Sequence, residues 1–353
     1  MDFSFDESQM AVRELARKVF EKLPADPVAA WRELGQAQLL GVALPEAVGG
    51  SAAGVVALCA LLEQAGEAAS GLPWIPSLVL AGLPLERSGR SAELLAAMAR
   101  GELVLCGSFG ERGEPAVSAR REGSHYVLSG TETCVEGLPL AASVVVAARI
   151  EGQGRSLFLV DARAPGVQVE PQSVASGCAL GRLQLQGVRL DAPLCEGVEA
   201  EALVEATLER AYLAQSAYEL GLSARALALT ARFASERQQF GRPIGTFQAV
   251  AQRVADAHIA VETMRLTVWR AAWLADQGAD ARREIAVART VATEAGHQVV
   301  CAAQHIHGSQ GFDRSYPLHR YFLASKQNAL RLGGQAFHIA RLGAMLTRDE
   351  VAG

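Results

Sequence analysis

The sequence has almost no lysine: Lys18, Lys22 and Lys326 are the only three among 33 basic residues. Acidic residues outnumber basic ones, 38 to 33, for a net charge of −5. That balance excludes a general nucleic-acid binder, whose electrostatic footprint is basic. Long apolar runs are missing too. The longest candidate, residues 72–85, is interrupted by Pro73, Pro76, Gly82 and Pro84, short of the ~18–20 residues that a membrane span needs. The chain opens Met1-Asp2-Phe3-Ser4, with no basic stretch leading into an apolar one, so no signal peptide is expected. The six cysteines (59, 106, 134, 178, 195 and 301) form no CxxC pair and no metal-ligand spacing. Scattered single thiols of this kind suit a reducing compartment, and a cytoplasmic protein is expected. GxSxG, Walker and HExxH motifs are absent, as is a strand–GxGxxG–helix unit, which removes the common hydrolase, NTPase, zincin and Rossmann readings.

What is present is a chain of 353 residues, half of them apolar and a fifth charged. That is enough for two or three structural units with a substantial core. Periodicity divides it into an N-terminal zone (1–102), a middle zone (103–195) and a C-terminal zone (196–353). The first reads helical: Ser4-x-x-Glu7 has the form of a capping box, and Val12, Leu15, Ala16, Val19, Phe20 and Leu23 follow at helical spacing. LPEAVGG (44–50) breaks the pattern and 52–66 restores it. Pro73, Pro76 and Pro84 mark a bent connector before a short helix at 91–100. The middle zone changes period. Short β-rich runs at 103–106, 125–128, 144–148, 157–160, 167–170 and 183–189 are punctuated by Gly, Pro, Ser and Asp, as in a sandwich or barrel. Helices are then expected at 199–236, 247–277, 281–305 and 327–346, the last weakened by Gly333-Gly334. Long helices on short loops read as an antiparallel bundle. Residues 200–353 carry 17 basic and 14 acidic groups, so the helical half is the more positive and suits an anionic ligand.

Two stretches of that half could carry chemistry. In ERQQFGRPIGTFQ (236–248), Arg237 offers a planar fork of donors for phosphate oxygens, and Gln248 opens a helix whose N-terminus favours anions. An ordinary turn with a solvated arginine fits the same residues. In HIHGSQGF (305–312), Gly308 and Gly311 let backbone N–H groups approach a phosphate, although glycine also caps helices routinely. His305 and His307 lie two apart, on different faces of a helix end, and no acidic partner stands near them in sequence, so no metal site is expected.

Taken together, these stretches resemble the acyl-CoA dehydrogenase family. ERQQFGRPIGTFQAV (236–250) is similar to its R-x-x-F-G-x-x-I-x-x-F-Q-A pattern, and HIHGSQGFDRSYPLHRYF (305–322) to its QxHGGxGF…YP segment. Phe3-Ser4-Phe5, LPEAVGG (44–50) and SLFLVDARAPGV (156–167) add to the likeness, which covers nearly the whole chain. The resemblance implies an α+β fold: an N-terminal helical domain, a middle β-barrel and a C-terminal four-helix bundle. It also implies FAD, an acyl-CoA thioester substrate, and α,β-dehydrogenation with a glutamate as base. In the family each FAD lies across a subunit interface, which implies a homo- or hetero-oligomer, dimer or tetramer, with a dehydrogenase-like chain. By that match Arg237, Phe240, Gln248, His305, Gly308, Ser309 and Gly311 hold the ADP half of a flavin whose ring sits in the partner.

The chain departs from the family where chemistry is done. Counting from Tyr316-Pro317, Leu332 occupies the place of the commonest catalytic glutamate, and leucine cannot accept a proton. The alternative position on the preceding helix falls on Ala211. Glu209, two residues earlier and about 200° around a helix, is the remaining base candidate; Glu205 and Glu219 are weaker. The family's T-E-P-x-x-G-S-D segment becomes residues 107–115, and its K-x-W-I-T-N becomes Glu132-Thr133-Cys134-Val135-Glu136-Gly137. Cys134 removes an aromatic platform, and Glu136 places negative charge where a reduced flavin would be anionic. Three readings stay open: a catalytically silent subunit donating the ADP side of a shared FAD site, a self-sufficient homomer with Glu209 as base, and a binding or structural protein that uses no flavin.

Overall fold

The computed structural model describes residues 5–110 and 114–352, with side chains described to residue 347. Ser4 of the expected capping box, Phe3, and Glu111, Arg112 and Gly113 of the 107–115 segment lie outside the described residues. The chain groups into two compact units, one made of 1–16, 58–70 and 212–353, the other of 17–57 and 71–211.

Ten α-helices and nine strands are described. Helix α1 (Glu7–Phe20) starts with a capping box, though on other residues than expected. Gln9 N–H donates to Asp6 Oδ1 at 2.8 Å and Asp6 N–H to Gln9 Oε1 at 3.1 Å. Helix α2 (Pro27–Gln36) begins with Asp26 accepting from Ala29 N–H at 2.7 Å and Pro27 in the first turn, where its missing N–H costs nothing. Helix α3 (Gly54–Glu67) follows. The expected bent connector is instead helical: a π-helical turn, Ile75–Ala81, runs directly into α4 (Gly82–Ser88). Pro76 sits in the first turn of this helical path, where its missing N–H costs nothing, while Pro84 lies within the path just after the π-helical turn. Helix α5 (Ala92–Ala99) completes this part.

The middle zone is one seven-stranded sheet, ordered β1-β4-β2-β3-β7-β6 with β5 also on β4. Its strands are β1 (Val104–Ser108), β2 (Val117–Glu122), β3 (His125–Glu136), β4 (Ala141–Ile150), β5 (Gly154–Asp161), β6 (Val167–Gln172) and β7 (Leu180–Leu190). The strand-rich middle zone expected from sequence is this single central sheet, whose described pairings end on β5 and β6 without closing into a barrel. Strands β1 and β2 both pair in parallel with β4, one along 141–146 and the other at 149–150, so they lie end to end on one edge of it. Alternate residues supply the core: Val117 and Ala119 from β2, Tyr126 and Leu128 from β3, Leu183 and Leu185 from β7, all buried together.

Helix α6 (Gly197–Glu236) is a single helix of 40 residues. A hairpin of β8 (Gln238–Gln239) and β9 (Arg242–Pro243) leads to α7 (Gln248–Asp276) and α8 (Arg282–His307). The single last helix expected at 327–346 is two, α9 (Leu318–Leu330) and α10 (Gln335–Ala352). Leu332 (φ +52°) and Gly333 (φ +100°) take left-handed conformations that end the first of them. Within the bundle unit, helices cross closely where side chains are absent. A Cβ on Gly66 would stand 2.1 Å from the Tyr218 carbonyl oxygen, and one on Gly221 1.9 Å from that of Glu63.

Candidate functional site

The two stretches singled out by sequence meet in the bundle unit. Helix α6 ends as Arg237 N–H donates to Phe233 O at 2.8 Å, and the chain folds into the β8–β9 hairpin. Phe240 (φ +53°) and Gly241 (φ +76°) are its two central residues, the left-handed pair that a two-residue hairpin of this twist demands. Glycine meets that demand freely; Phe240 does so under strain, with its ring 92% exposed at the tip. Helix α7 then opens at Gln248, with Phe247 before it and no side chain capping its first N–H groups, an arrangement that favours an anion.

The second stretch is attached to the first through aromatic rings. His307, the last residue of α8, stacks on Phe233 with centroids 4.2 Å apart and planes 19° apart. Its Nδ1 lies 2.8 Å from Ala303 O and its Nε2 3.1 Å from the Tyr316 hydroxyl. Because a carbonyl only accepts, Nδ1 carries the proton and Tyr316 donates to Nε2. Gly308 follows with φ +59° and ψ −134°, a conformation open to glycine, and a short turn covers 308–312. With its amide oriented to suit both neighbours, Gln304 donates to Gly311 O at 3.3 Å and accepts from Phe312 N–H at 3.2 Å. A Cβ on Gly311 would fall 2.6 Å from that amide, so Gly311 is needed for packing in its own right.

Arginines along this edge differ in what they bind. Arg232 donates to Glu236 at 2.8 Å, and Arg242 lies 4.3 Å over the Phe247 ring. Arg237, Gln248, His305 and Ser309 are all exposed, and none has a side-chain hydrogen bond or ion pair among the described residues. Gly308 is exposed as well, with open space where a Cβ would stand. The expected ADP-side set is therefore brought to one end of the bundle with its donors free, except Gly311, which is buried against Gln304. Arg237, Gln248, the α7 N-terminus and the Gly308–Ser309 backbone are donors of the kinds a diphosphate takes, on two segments linked through the Phe233–His307 stack. His307 falls on the H of the QxHGGxGF resemblance, but that match assigns it no role; its partners Phe233 and Tyr316 come from other elements.

The candidate bases fare differently. Glu209 is buried, 8% exposed, on α6; the helix shows no distortion there, so Glu209 and the buried Ala211 stay on different faces. Glu205 accepts from Arg155 at 2.7 Å. Glu219 is enclosed, accepting from Ser325 Oγ at 2.5 Å and Asn328 Nδ2 at 2.8 Å. A Cβ on Gly296 would come within 2.3 Å of its Oε1. Burial raises its carboxyl above the usual range. The guanidinium of Arg289, also fully buried, donates to Asn328 O at 2.7 Å and is pulled down to about 10 by burial. Leu332, at the family's base position, is half-buried in the link between α9 and α10.

In the sheet unit, strand β3 shifts register between Glu132 and Val135. Cys134 sits exposed on this bulge with φ +58°, its N–H donating to Gln172 Oε1 at 2.8 Å. The flanking Glu132 and Glu136 are buried, and burial raises the Glu132 carboxyl. Among the described residues no group of three or more His, Cys, Asp or Glu is placed to hold a metal ion, and no helix is long and apolar enough to cross a membrane.

Residues 6–102 match the acyl-CoA dehydrogenase N-terminal domain and 202–346 the C-terminal domain. The chain is 38% identical over 326 residues to acyl-CoA dehydrogenase FadE27 of Mycobacterium tuberculosis, covering 89% of this chain and 86% of that one. It superposes on a chain of the ChsE4–ChsE5 complex from the same organism with TM-score 0.90 and 35% identity, over 98% of this chain and 99% of that chain. A chain of the Tcur3481–Tcur3483 steroid ACAD variant gives TM-score 0.89 and 37% identity over 98% and 99%.

Proposed function

The chain belongs to the acyl-CoA dehydrogenase family, FAD-dependent oxidoreductases of acyl-CoA thioesters, and within that family we propose that it is the subunit that supplies the ADP side of an FAD shared with a catalytic sister chain. One contrast carries this reading: the ADP-side donors Arg237, Gln248 and Ser309 are exposed and free, while the family's base position holds Leu332. Bound FAD would supply the hydride acceptor for α,β-dehydrogenation. Arg237 gives charge-assisted hydrogen bonds to a diphosphate, and Gln248 with the uncapped α7 N-terminus adds uncharged donors. Gly308 and Ser309 would offer backbone N–H groups to the phosphates, with His305 on the same helix end. Phe240 and Phe312, 92% and 71% exposed, are large apolar side chains beside these donors, as a site completed by another chain requires.

The ring-side residues support the same division. The bulge at Cys134 between the buried Glu132 and Glu136 offers no aromatic platform and brings acid close to where the resemblance puts the flavin ring. Both relatives of 35% and 37% identity are named as pairs of different proteins, and one is described as a steroid ACAD. A bulky, steroid-like acyl-CoA is the substrate class that these relatives favour. A second reading, a homomer with Glu209 as base, is favoured by the burial of that carboxylate on α6.

Expression alone and together with a dehydrogenase-like sister chain separates the readings. Flavin absorbance and turnover only in the co-expressed pair are expected. A yellow, active lone chain that loses turnover as Glu209→Gln would establish the homomer instead. No flavin in either preparation would remove both.

A further inference from the structure

We propose that His307 is a positioning residue, which locks the 308–311 turn to the end of α6 so that the turn and Arg237 face one diphosphate-bearing ligand. This inference rests on the cofactor-site reading above.

Three observations converge on it. The imidazole is 5% exposed and lies between two elements that both supply ligand donors. On one side Phe233, whose carbonyl holds the Arg237 N–H, stacks on the ring at 4.2 Å. On the other, Tyr316 closes the segment after the turn by donating to Nε2 at 3.1 Å. The bond from Nδ1–H to Ala303 O fixes the ring's rotation and tautomer, as an orienting partner does for a ligand-bearing histidine. The turn is thus held at its start by His307 and at its end by Gln304, which bridges Gly311 O and Phe312 N–H. Between these anchors Gly308, Ser309 and Gln310 are exposed.

A ring that served only to fill space would be replaced by phenylalanine at little cost, since Phe233 gives it an apolar face to stack on. The two hydrogen bonds are what a phenylalanine lacks. Gln keeps an acceptor near the Nε2 position and can still receive the Tyr316 hydroxyl. Charged and titratable neighbours do not supply a substitute. Arg232 and Glu236 on α6 act on Tyr316, Asp313 holds the Ser315 N–H, and His319 holds the Tyr316 carbonyl.

The test measures ADP affinity by calorimetry on the purified assembly, with melting temperature and amide hydrogen exchange of 308–312 read in parallel. His307→Phe should weaken ADP about tenfold and speed exchange in the turn, while Tyr316→Phe weakens it about fivefold, each hydrogen bond counting as a modest net term. His307→Gln should recover most of the affinity. Unchanged ADP affinity and exchange in both His307→Phe and Tyr316→Phe would overturn the inference, as would a fall in affinity that Gln fails to recover. Arg237→Ala separates the levels: if it weakens ADP and the His307 and Tyr316 variants do not, only this inference fails. If none of the three matters, or the native assembly takes up no ADP, the phosphate-site reading fails with it. Should His307→Phe not fold, Tyr316→Phe decides.

Discussion

Two polar clusters of the bundle unit use the same residue types to opposite ends. Around Glu219, donors and acceptors face inward and engage one another: Ser325 and Asn328 donate to the carboxylate, and Arg289 holds the Asn328 carbonyl. At the corner of 237–248 and 308–311, backbone and ring contacts are made, but the Arg237, Gln248 and Ser309 side chains are exposed without a hydrogen bond or ion pair among the described residues. The first pattern belongs to a fold held in one arrangement; the second leaves donors open, which under the proposed reading take the ADP side of FAD. The difference shows why a buried glutamate is not by itself a base, and why the exposed Arg237 is informative although Arg232, one turn earlier on α6 and paired with Glu236, is not.

That comparison breaks if the two clusters respond alike to substitution. Glu219→Ala leaves the buried Ser325 and Asn328 donors unpaired, at about 1–3 kcal/mol each. Thermal unfolding should show a large drop, with flavin retention per folded molecule unaltered. Arg237→Ala should do the reverse: no change in melting temperature, and weaker FAD retention by about 1.5–3 kcal/mol, read by flavin release on dilution. An Arg237→Ala variant that keeps its flavin fully would place the corner with the ordinary surface turns.

Acid sharpens the contrast at smaller amplitude. His338 is buried in the bundle, donates to Gly333 O at 3.1 Å, and is held down to about 3 by burial and the nearby Arg289 charge. The unfolded chain therefore takes up a proton that the fold refuses as pH drops below ~6.5, and stability should fall from there toward pH 3. Burial holds His307 below its ordinary value too, so it adds in the same direction. His338→Gln should flatten the dependence of melting temperature on pH between 6.5 and 5; an unchanged slope would contradict the assignment. The smallest effect is expected from Arg232→Ala. Its pair with Glu236 is exposed, and both melting temperature and flavin retention should stay at native values.

Residue order alone makes much of this fold legible. The helices expected at 199–236, 247–277 and 281–305 occur as α6, α7 and α8, because long apolar periodicity and clear breakers bound them. Strand β2 escapes the pattern because only Val117 and Ala119 face inward while Ser118 and Arg120 face outward, too few apolar positions to register. Pro76 looks like a breaker in sequence, yet it occupies a first-turn position, which tolerates it, and Pro84 follows directly on a π-helical turn that residue type does not disclose. The split between α9 and α10 turns on Leu332 adopting a left-handed conformation, which residue type does not disclose. At the site, residue types and spacing point to Arg237, Gln248 and the glycines. They do not show that Gly311 answers to Gln304, that Phe240 carries strain at a hairpin tip, or that His307 joins the two stretches, since each depends on partners supplied by packing.

The most direct measurement is the structure of the FAD-loaded co-expressed assembly. Adenine and diphosphate should be seated on the Arg237–Gln248 corner and the Gly308–Gly311 turn of this chain, with the isoalloxazine ring enclosed by the sister chain. A dinucleotide bound away from that corner, or one whose ring rests beside Cys134 of the same assembly's copy of this chain, would contradict the shared-site reading.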